Sequence, residues 1–320
     1  MNKLTIITYH FVREIENSKY PKIKGLEFSA FKRQLDYLEN NFEIIDVQKL
    51  LDFAFRGKNL PENSCLLTFD DGYKDHIEYV FPELLKRKIQ GSFFPTFKPV
   101  IERDILDMNC VHYILACCSD YKELFNLLNQ LCLGNGIDEK ELKNFWNTMD
   151  HEGYLRKLGV VNDPFKFDPK KRFYIKWLLQ YYLPKETRAK ISKTLFKKYV
   201  GVDIQKFSEE LYMSFDDIKK LVNQGMYVGC HGYDHLWMSK ENRKNQEKEI
   251  NQSLEFLKKA GASVKEWIMC YPHGDYNSET LDVLREKNCS IGLTSKSGLN
   301  QLNKNNLFEL LRFDTNDFPQ

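Results

Sequence analysis

The segment Leu66-Leu67-Thr68-Phe69-Asp70-Asp71-Gly72-Tyr73 sets two adjacent carboxylates at the end of an apolar run and follows them with glycine. Carboxylates that close repel unless one binds a cation or one takes up a proton. Such a pair suits metal-assisted hydrolysis, in which one aspartate holds an ion and its neighbour accepts a proton from water. The same residues also suit an Asx-type turn with both carboxylates in solvent. Neighbouring strand side chains face opposite ways, so Asp70 and Asp71 share a site only where the chain turns, and Gly72 permits that turn.

A second feature is Cys230-His231-Gly232-Tyr233-Asp234-His235, with two histidines four apart. One helical turn there would bring both imidazoles to one side, with Cβ atoms roughly 5–6 Å apart. With Asp71 they make a His2Asp set, three ligands that leave zinc open positions for water and substrate. A metal so held lowers the pKa of its water toward about 7 and polarises the carbonyl under attack. Asp70, beside the ligand, is then placed as general base. An HxxxH spacing alone arises by coincidence on polar helix faces. Its weight comes from occurring with the Asp70-Asp71 step at the C-terminal tips of two strands in a βα chain, where barrel enzymes place their sites.

The elements that must carry these residues alternate between strand and helix. The spacing predicts strands at 4–9 (ending at His10), 42–45, 65–69 and 91–94. Between them it predicts a helix at 29–38 with Ser29 as N-cap, one at 47–55 stopped by Gly57, and one from 73 to about 88. From about 100 to 205 helical periods run without clear strands, at 113–131, 139–149, 173–183 and from Pro184 to 199. Asn162-Asp163-Pro164 and Asp168-Pro169 mark a loop there. The alternation resumes with a capping box at Ser214 and Asp217, a strand at 226–230, a helix at 240–260 and a strand at 264–270. A helix to 287 capped by Ser278, a strand at 289–294 and a last one at 310–314 complete it. The fold class expected is α/β with a mostly parallel sheet or barrel, and a helical subdomain inserted at 101–205 between parts 1–100 and 206–320.

With 320 residues, 42% hydrophobic, the chain can bury a substantial core. A net charge of +2 gives no whole-chain pull toward nucleic acid or membrane. Local charge is more telling: 166–198 holds eleven Lys or Arg against Asp168 and Glu186, a local +9, interleaved with Phe173, Tyr174, Trp177, Tyr181 and Tyr182. This stretch reads as a solvated helix face with its aromatics in the core, or as a patch facing an anionic membrane surface or the phosphates of a carrier-linked substrate. No apolar run approaches a membrane span and the N-terminus lacks a secretory apolar region, so a cytoplasmic location is expected, with no transmembrane segment. The eight cysteines form no CxxC pair and read as small core residues.

Thr68-Phe69-Asp70-Asp71-Gly72 resembles the first motif of the polysaccharide deacetylases of the NodB-homology, carbohydrate esterase 4 class. His231 through His235 resembles their second motif, and Tyr271-Pro272-His273-Gly274 a variant of the third. The resemblance covers about 1–100 and 206–320 and implies a distorted (β/α)7 barrel, a divalent metal, usually zinc, and removal of an N-acyl group from an amino sugar. By it Asp70 is the base, Asp71, His231 and His235 are metal ligands, and the backbone N–H of Tyr271 is the oxyanion donor. Two departures stand out. Cys270 occupies the place of an arginine that orients the base, for which Arg312 offers a substitute. No histidine follows His273 to protonate the leaving amine. Thr8-Tyr9-His10 resembles the circularly permuted branch, in which that histidine lies on the first strand, with His273 in reserve; a core histidine is the alternative for His10. His76, His112 and His151 lie outside the motifs and read as structural or solvated. The function expected is hydrolysis of an N-acetyl or N-formyl group from an amino sugar, as a surface-glycan precursor on a nucleotide or lipid phosphate. The rivals are hydrolysis of a cyclic amide or imide, and a barrel that binds glycan or a partner without catalysis. The inserted helices would serve as a lid, a selecting wall or a subunit contact.

Overall fold

The computed structural model describes residues 3–150, 169–303 and 305–319. His151 and the loop expected at Asn162-Asp163-Pro164 lie outside the described residues. Eleven strands are present among the described residues: β1 (Lys3–Tyr9), β2 (Val12–Arg13), β3 (Leu26–Glu27), β4 (Glu43–Ile44), β5 (Ser64–Asp71), β6 (Ser92–Pro95), β7 (Tyr227–Val228), β8 (Trp267–Cys270), β9 (Cys289–Leu293), β10 (Asn300–Gln301) and β11 (Phe313–Asp314). The sheet is built around β5. All eight residues of β5 are buried, as a parallel strand covered on both faces requires. β1 lies parallel to it from Leu4 opposite Ser64 to Tyr9 opposite Phe69, and β6 lies parallel on its other side with Asp71 opposite Pro95. β7 continues beyond β6, β4 pairs with the start of β5, and β11 runs parallel to β1. β10 is the antiparallel member of this sheet. β8 and β9 form a parallel pair. Single parallel bridges tie Cys230 to Met269 and Leu293 to Leu310.

Alternation along these strands sorts side chains onto two faces. Leu67 and Phe69 of β5 join Tyr9, Phe31 and Phe93 in the larger core, where the Tyr9 and Phe93 rings stack on Phe69 at 5.0 and 4.9 Å. Leu66 faces the other way, into a core with Leu4, Ile6, Phe94, Ile268, Cys270, Ile291 and Leu310. Thr8 follows Ile6 on that face, and Thr68 and Asp70 follow Leu66. The polar site residues therefore sit at the strand tips above an apolar layer.

The helix after β3 is Phe28–Asn41, with Glu27 rather than Ser29 at its cap position. Strand pairing at β3 runs straight into the helix, and the Glu27 carboxylate accepts instead from the N–H groups of Ile15 and Glu16. Asn277, not Ser278, caps Ser278–Glu286, because Asn277 and Thr280 exchange bonds reciprocally. The capping box of Ser214 and Asp217 is present. The strands expected at 226–230 and 264–270 pair over Tyr227–Val228, with a single bridge at Cys230, and over Trp267–Cys270. A helix at Ile204–Leu211 was not anticipated.

The chain divides into two compact units, one of Met1–Ser18, Lys24–Asp104 and Ile204–Gln320, the other of Lys19–Ile23 and Ile105–Asp203. Among the described residues, the second unit from 105 onward is helical. The run expected at 113–131 is two helices, Asp107–Cys117 and Tyr121–Gly134, because Asp120 caps the second by accepting from Lys122 and Glu123. In the basic stretch, Tyr174 is buried and donates to Asn129 at 2.7 Å, while its ring meets Phe125, Phe145 and Trp146. No helix among the described residues is long and apolar enough to cross a membrane.

At the end of β5, Asp71 and Gly72 take consecutive left-handed conformations, with φ of 70° and 75°. A Cβ on Gly72 would stand 2.7 Å from the Pro95 side chain and 3.0 Å from its Cα. Gly72→Ala is accordingly expected to cost about 1–3 kcal/mol through strain and overpacking, read as a lowered urea midpoint at unchanged m-value.

Candidate metal centre

The left-handed turn brings Asp71 to His231 and His235. Its Oδ1 lies 3.3 Å from the Nε2 of each histidine, and those two nitrogens are 3.1 Å apart. The histidines reach it on a loop rather than the helical turn that their spacing suggested. The chain is non-helical from 231 to 235, with left-handed backbone at Gly232 (φ 75°) and His235 (φ 51°). Glu249, buried on the helix Arg243–Lys259, fixes this loop by accepting from the Asp234 N–H at 2.7 Å.

Three donors around one tetrahedral ion at metal–ligand distances of about 2.0–2.2 Å stand roughly 3.3 Å from one another, which is the spacing found here. The ring nitrogen Nδ1 of His231 lies 2.8 Å from the Cys270 carbonyl, which can only accept, so Nδ1 carries a proton and Nε2 is the nitrogen that faces Asp71. Both Asp71 oxygens are buried without a hydrogen-bond partner. A buried carboxylate in that state calls for a cation. The residues thus fit a divalent ion. Burial pushes the Asp71 carboxyl up, but the two imidazoles outweigh it and hold it well below the usual range. Asp70, His231 and Cys270 also cluster. That group is not arranged for an ion, because the His231 Nδ1 and the Asp70 carboxylate are already engaged.

Asp70 is 1% exposed and is gripped by Arg312, whose Nη1 donates to Oδ1 at 2.9 Å and whose Nη2 lies 2.8 Å from Oδ2. Arg312 is itself buried and donates to the Thr294 carbonyl and to Thr68. The Thr8 hydroxyl and the Cys270 thiol donate to Oδ2 at 3.3 and 3.4 Å. Burial raises the Asp70 carboxyl, yet the charges of Arg312 and then His231 outweigh it, so Asp70 stays ionised well below the ordinary carboxylate range.

His10 places Nε2 4.0 Å from Asp70 Oδ2 with its side chain 45% exposed, so it is not a core histidine. His273 packs its ring 4.3 Å from His235 and stacks on Trp237 at 4.0 Å. Tyr271 departs from expectation. Its N–H donates to the Leu293 carbonyl at 3.0 Å, extending the β8–β9 ladder, and its hydroxyl donates to Phe308. It is a core residue with its amide already used, and the oxyanion role expected for it fails on that ground. His76 is fully buried and lies outside the ligand set. His112 is half-buried in the second unit. None of the eight cysteines is in a disulfide. Thr8 and Trp237 are the residues that sequence reasoning missed at the site, and Cys270, noted there only as standing in the place of an arginine, itself touches Asp70. For Thr8 a signal existed, its two-residue step from Ile6 on the face that carries Asp70.

A family model described as polysaccharide deacetylase matches residues 186–291, which include both metal-site histidines and the Tyr271–Gly274 turn. The match spans about a third of the chain. The match stops short of Asp70 and Asp71, and the fold itself joins them to the two histidines inside it. Among curated relatives, a poly-β-1,6-N-acetyl-D-glucosamine N-deacetylase of Escherichia coli (strain K12) is 31% identical over 84 residues, 26% of this chain and 12% of that one. A putative polysaccharide deacetylase of Bacillus subtilis (strain 168), YxkH, is 28% identical over 98 residues, 31% of this chain and 33% of that one. The alignments therefore span a third or less of these relatives. The fold is shared over nearly the whole chain with Streptococcus pyogenes deacetylase PplD, solved with acetate (TM-score 0.56, 14% identity, 98% of this chain and 92% of that one). It is shared likewise with IcaB from Ammonifex degensii (TM-score 0.55, 18% identity, 98% and 91%).

Two outcomes follow for this site. His231→Ala is expected to lose bound divalent metal, measured as metal per chain by atomic emission after dialysis, whereas Asp70→Asn keeps it. Removing the Arg312 charge leaves burial to raise the Asp70 carboxyl. A base with a depressed pKa works above that pKa and fails as pH falls through it, so Arg312→Leu is expected to move the acid limb of the pH–rate profile to higher pH.

Proposed function

We propose that this chain is a metal-dependent N-deacetylase of amino-sugar glycans. One observation carries the reading: a buried carboxylate without hydrogen-bond partners faces two imidazole nitrogens at ligand spacing, directly beside a second, ionised aspartate. Asp71, His231 and His235 hold the ion, zinc by family resemblance. What a bound ion supplies is an acidified water and a polarised acyl carbonyl. Asp70 takes the proton from the attacking water, and Arg312, Thr8 and Cys270 keep its carboxylate aimed. A depressed pKa suits this task, because an acidified water needs only a weak base that is always ionised. The water oxygen bonds to the acyl carbon, the C–N bond breaks, His10 donates a proton to the departing amine, and acetate leaves. His273 and Trp237 flank the ligands as a flat aromatic wall that suits a sugar face.

The seven strands β1, β5, β6, β7, β8, β9 and β11 are read as the distorted (β/α)7 barrel. That reading is supported by the parallel pairings and by the single bridges at Cys230–Met269 and Leu293–Leu310, which link their ends. Because the E. coli relative is named for an assembled polymer, a poly-N-acetylglucosamine chain stands ahead of a carrier-linked precursor as substrate. A precursor on a nucleotide or lipid phosphate in the cytoplasm, with peripheral membrane contact, is the second reading, supported by the basic helices of the second unit. An N-formyl substrate is chemically equivalent at this site.

The test is release of acid by the metal-supplemented protein from β-1,6-linked N-acetylglucosamine oligomers, from UDP-N-acetylglucosamine and from a lipid-linked N-acetyl sugar. Turnover with one of them, lost by roughly a hundredfold or more in Asp70→Asn at unchanged metal content, is the expected result. No acid from any of them, with the ion bound, would leave a binding role instead.

A further inference from the structure

The residues just beyond the carboxylate turn reach back to the segment that carries His10. Tyr73 stacks on Phe11 with ring centroids 3.9 Å apart. Asp75, 3% exposed, accepts from the Val12 N–H at 3.1 Å and from Arg13 Nε at 2.7 Å. His76, fully buried, has Nε2 2.9 Å from the His10 carbonyl, so that nitrogen donates. Each residue from 10 to 13 is thus held by one from 73 to 76. The His10 imidazole is 45% exposed and stands 4.0 Å from Asp70 Oδ2, beyond hydrogen-bond reach. Its place above Asp70 is therefore set through its backbone.

We propose that Asp75 and His76 are positioning residues for His10, a clamp that ties the proton-donating histidine to the turn bearing Asp70 and Asp71. A buried ion pair is a costly way to pack a loop, and apolar side chains in place of both Asp75 and Arg13 could serve stability as well or better. What the carboxylate adds is direction: one oxygen takes donors from two consecutive residues of the His10 segment, which an apolar side chain cannot do. The clamp also gives β1 and β5 a fixed relation at their tips, where pairing ends at Tyr9 and Phe69. The catalytic part of this inference rests on the proposed proton transfer by His10; the geometric part does not.

The experiment is a pair of measurements on the full, metal-loaded chain. Histidine labelled with ¹³C at Cε1 reports the ring of His10, assigned by its loss in His10→Ala. Asp75→Asn, which keeps an acceptor of the same size but discharges the link to Arg13, is expected to shift and sharpen that signal toward a freely rotating imidazole. Metal content is expected to stay unchanged. An unaltered His10 signal overturns the clamp. The second measurement is acetate release from β-1,6-linked N-acetylglucosamine oligomers in four variants. Asp75→Asn is expected to lower kcat roughly tenfold when His10 is present and less than about twofold when His10 is alanine, with KM unchanged. Equal losses in both backgrounds mean a structural role and overturn the proposal. A His10→Ala protein with full activity refutes the proton-transfer reading, while the ring signal still decides the clamp. Should Asp75→Asn not fold, Arg13→Gln removes the same charged link from its more exposed side and carries the same two expectations.

Discussion

Asp70 and Asp71 are each 1% exposed, and two adjacent carboxylates stay ionised in such a place only with separate compensation. At about 4 Å and an effective dielectric near 20, two like charges repel by about 4 kcal/mol. Each then also bears the loss of water. The fold answers by dividing them. Asp70 turns to a buried guanidinium that binds it through both oxygens, and Asp71 turns to two imidazoles with room for an ion between the three. The chemistry follows from this division. A carboxylate satisfied by Arg312 is ionised and already paired, while its neighbour, without hydrogen bonds of its own, is left facing two imidazoles.

Backbone conformation makes the division feasible. Residue alternation would send the two side chains to opposite faces of β5, and it is the left-handed pair at Asp71 and Gly72 that redirects the second carboxylate. A left-handed aspartate is tolerated because its short polar side chain suits that region, and Gly72 follows where Pro95 leaves no room for a Cβ. The same device recurs across the site, with left-handed backbone at Gly232, His235 and His273. Strand tips supply a rigid base, and tight turns do the aiming.

The features legible in the sequence were those governed by local rules. The apolar run into Asp70-Asp71, the need for Gly72, the reciprocal cap of Ser214 and Asp217 and the joint use of two histidines with Asp71 all depend on residues within a few positions or on donor chemistry. What was illegible depends on distant partners. The helical turn expected at 231–235 gives way to a loop because Glu249, fourteen residues beyond His235, takes the Asp234 N–H. Ser29 is not a cap because β3 pairs with β2 directly before it, and Glu27 is drawn to residues 15 and 16. Tyr271 lost its expected role because the β8–β9 ladder runs one residue past the strand, a register that spacing cannot reveal.

Cys270 shows how distant partners also explain an unusual residue. The thiol touches Asp70, and the carbonyl of the same residue fixes the tautomer of His231. Arg312 already fills both oxygens of Asp70 from the β11 side. A second guanidinium at 270 would put another buried cation beside it and close to a histidine that must stay neutral to bind metal. A small, weakly donating side chain avoids that repulsion and leaves the carbonyl of 270 in place. Which of the two positions carries the arginine is thus a choice that the other must accommodate. The cysteine is what the geometry tolerates once the charge comes from residue 312.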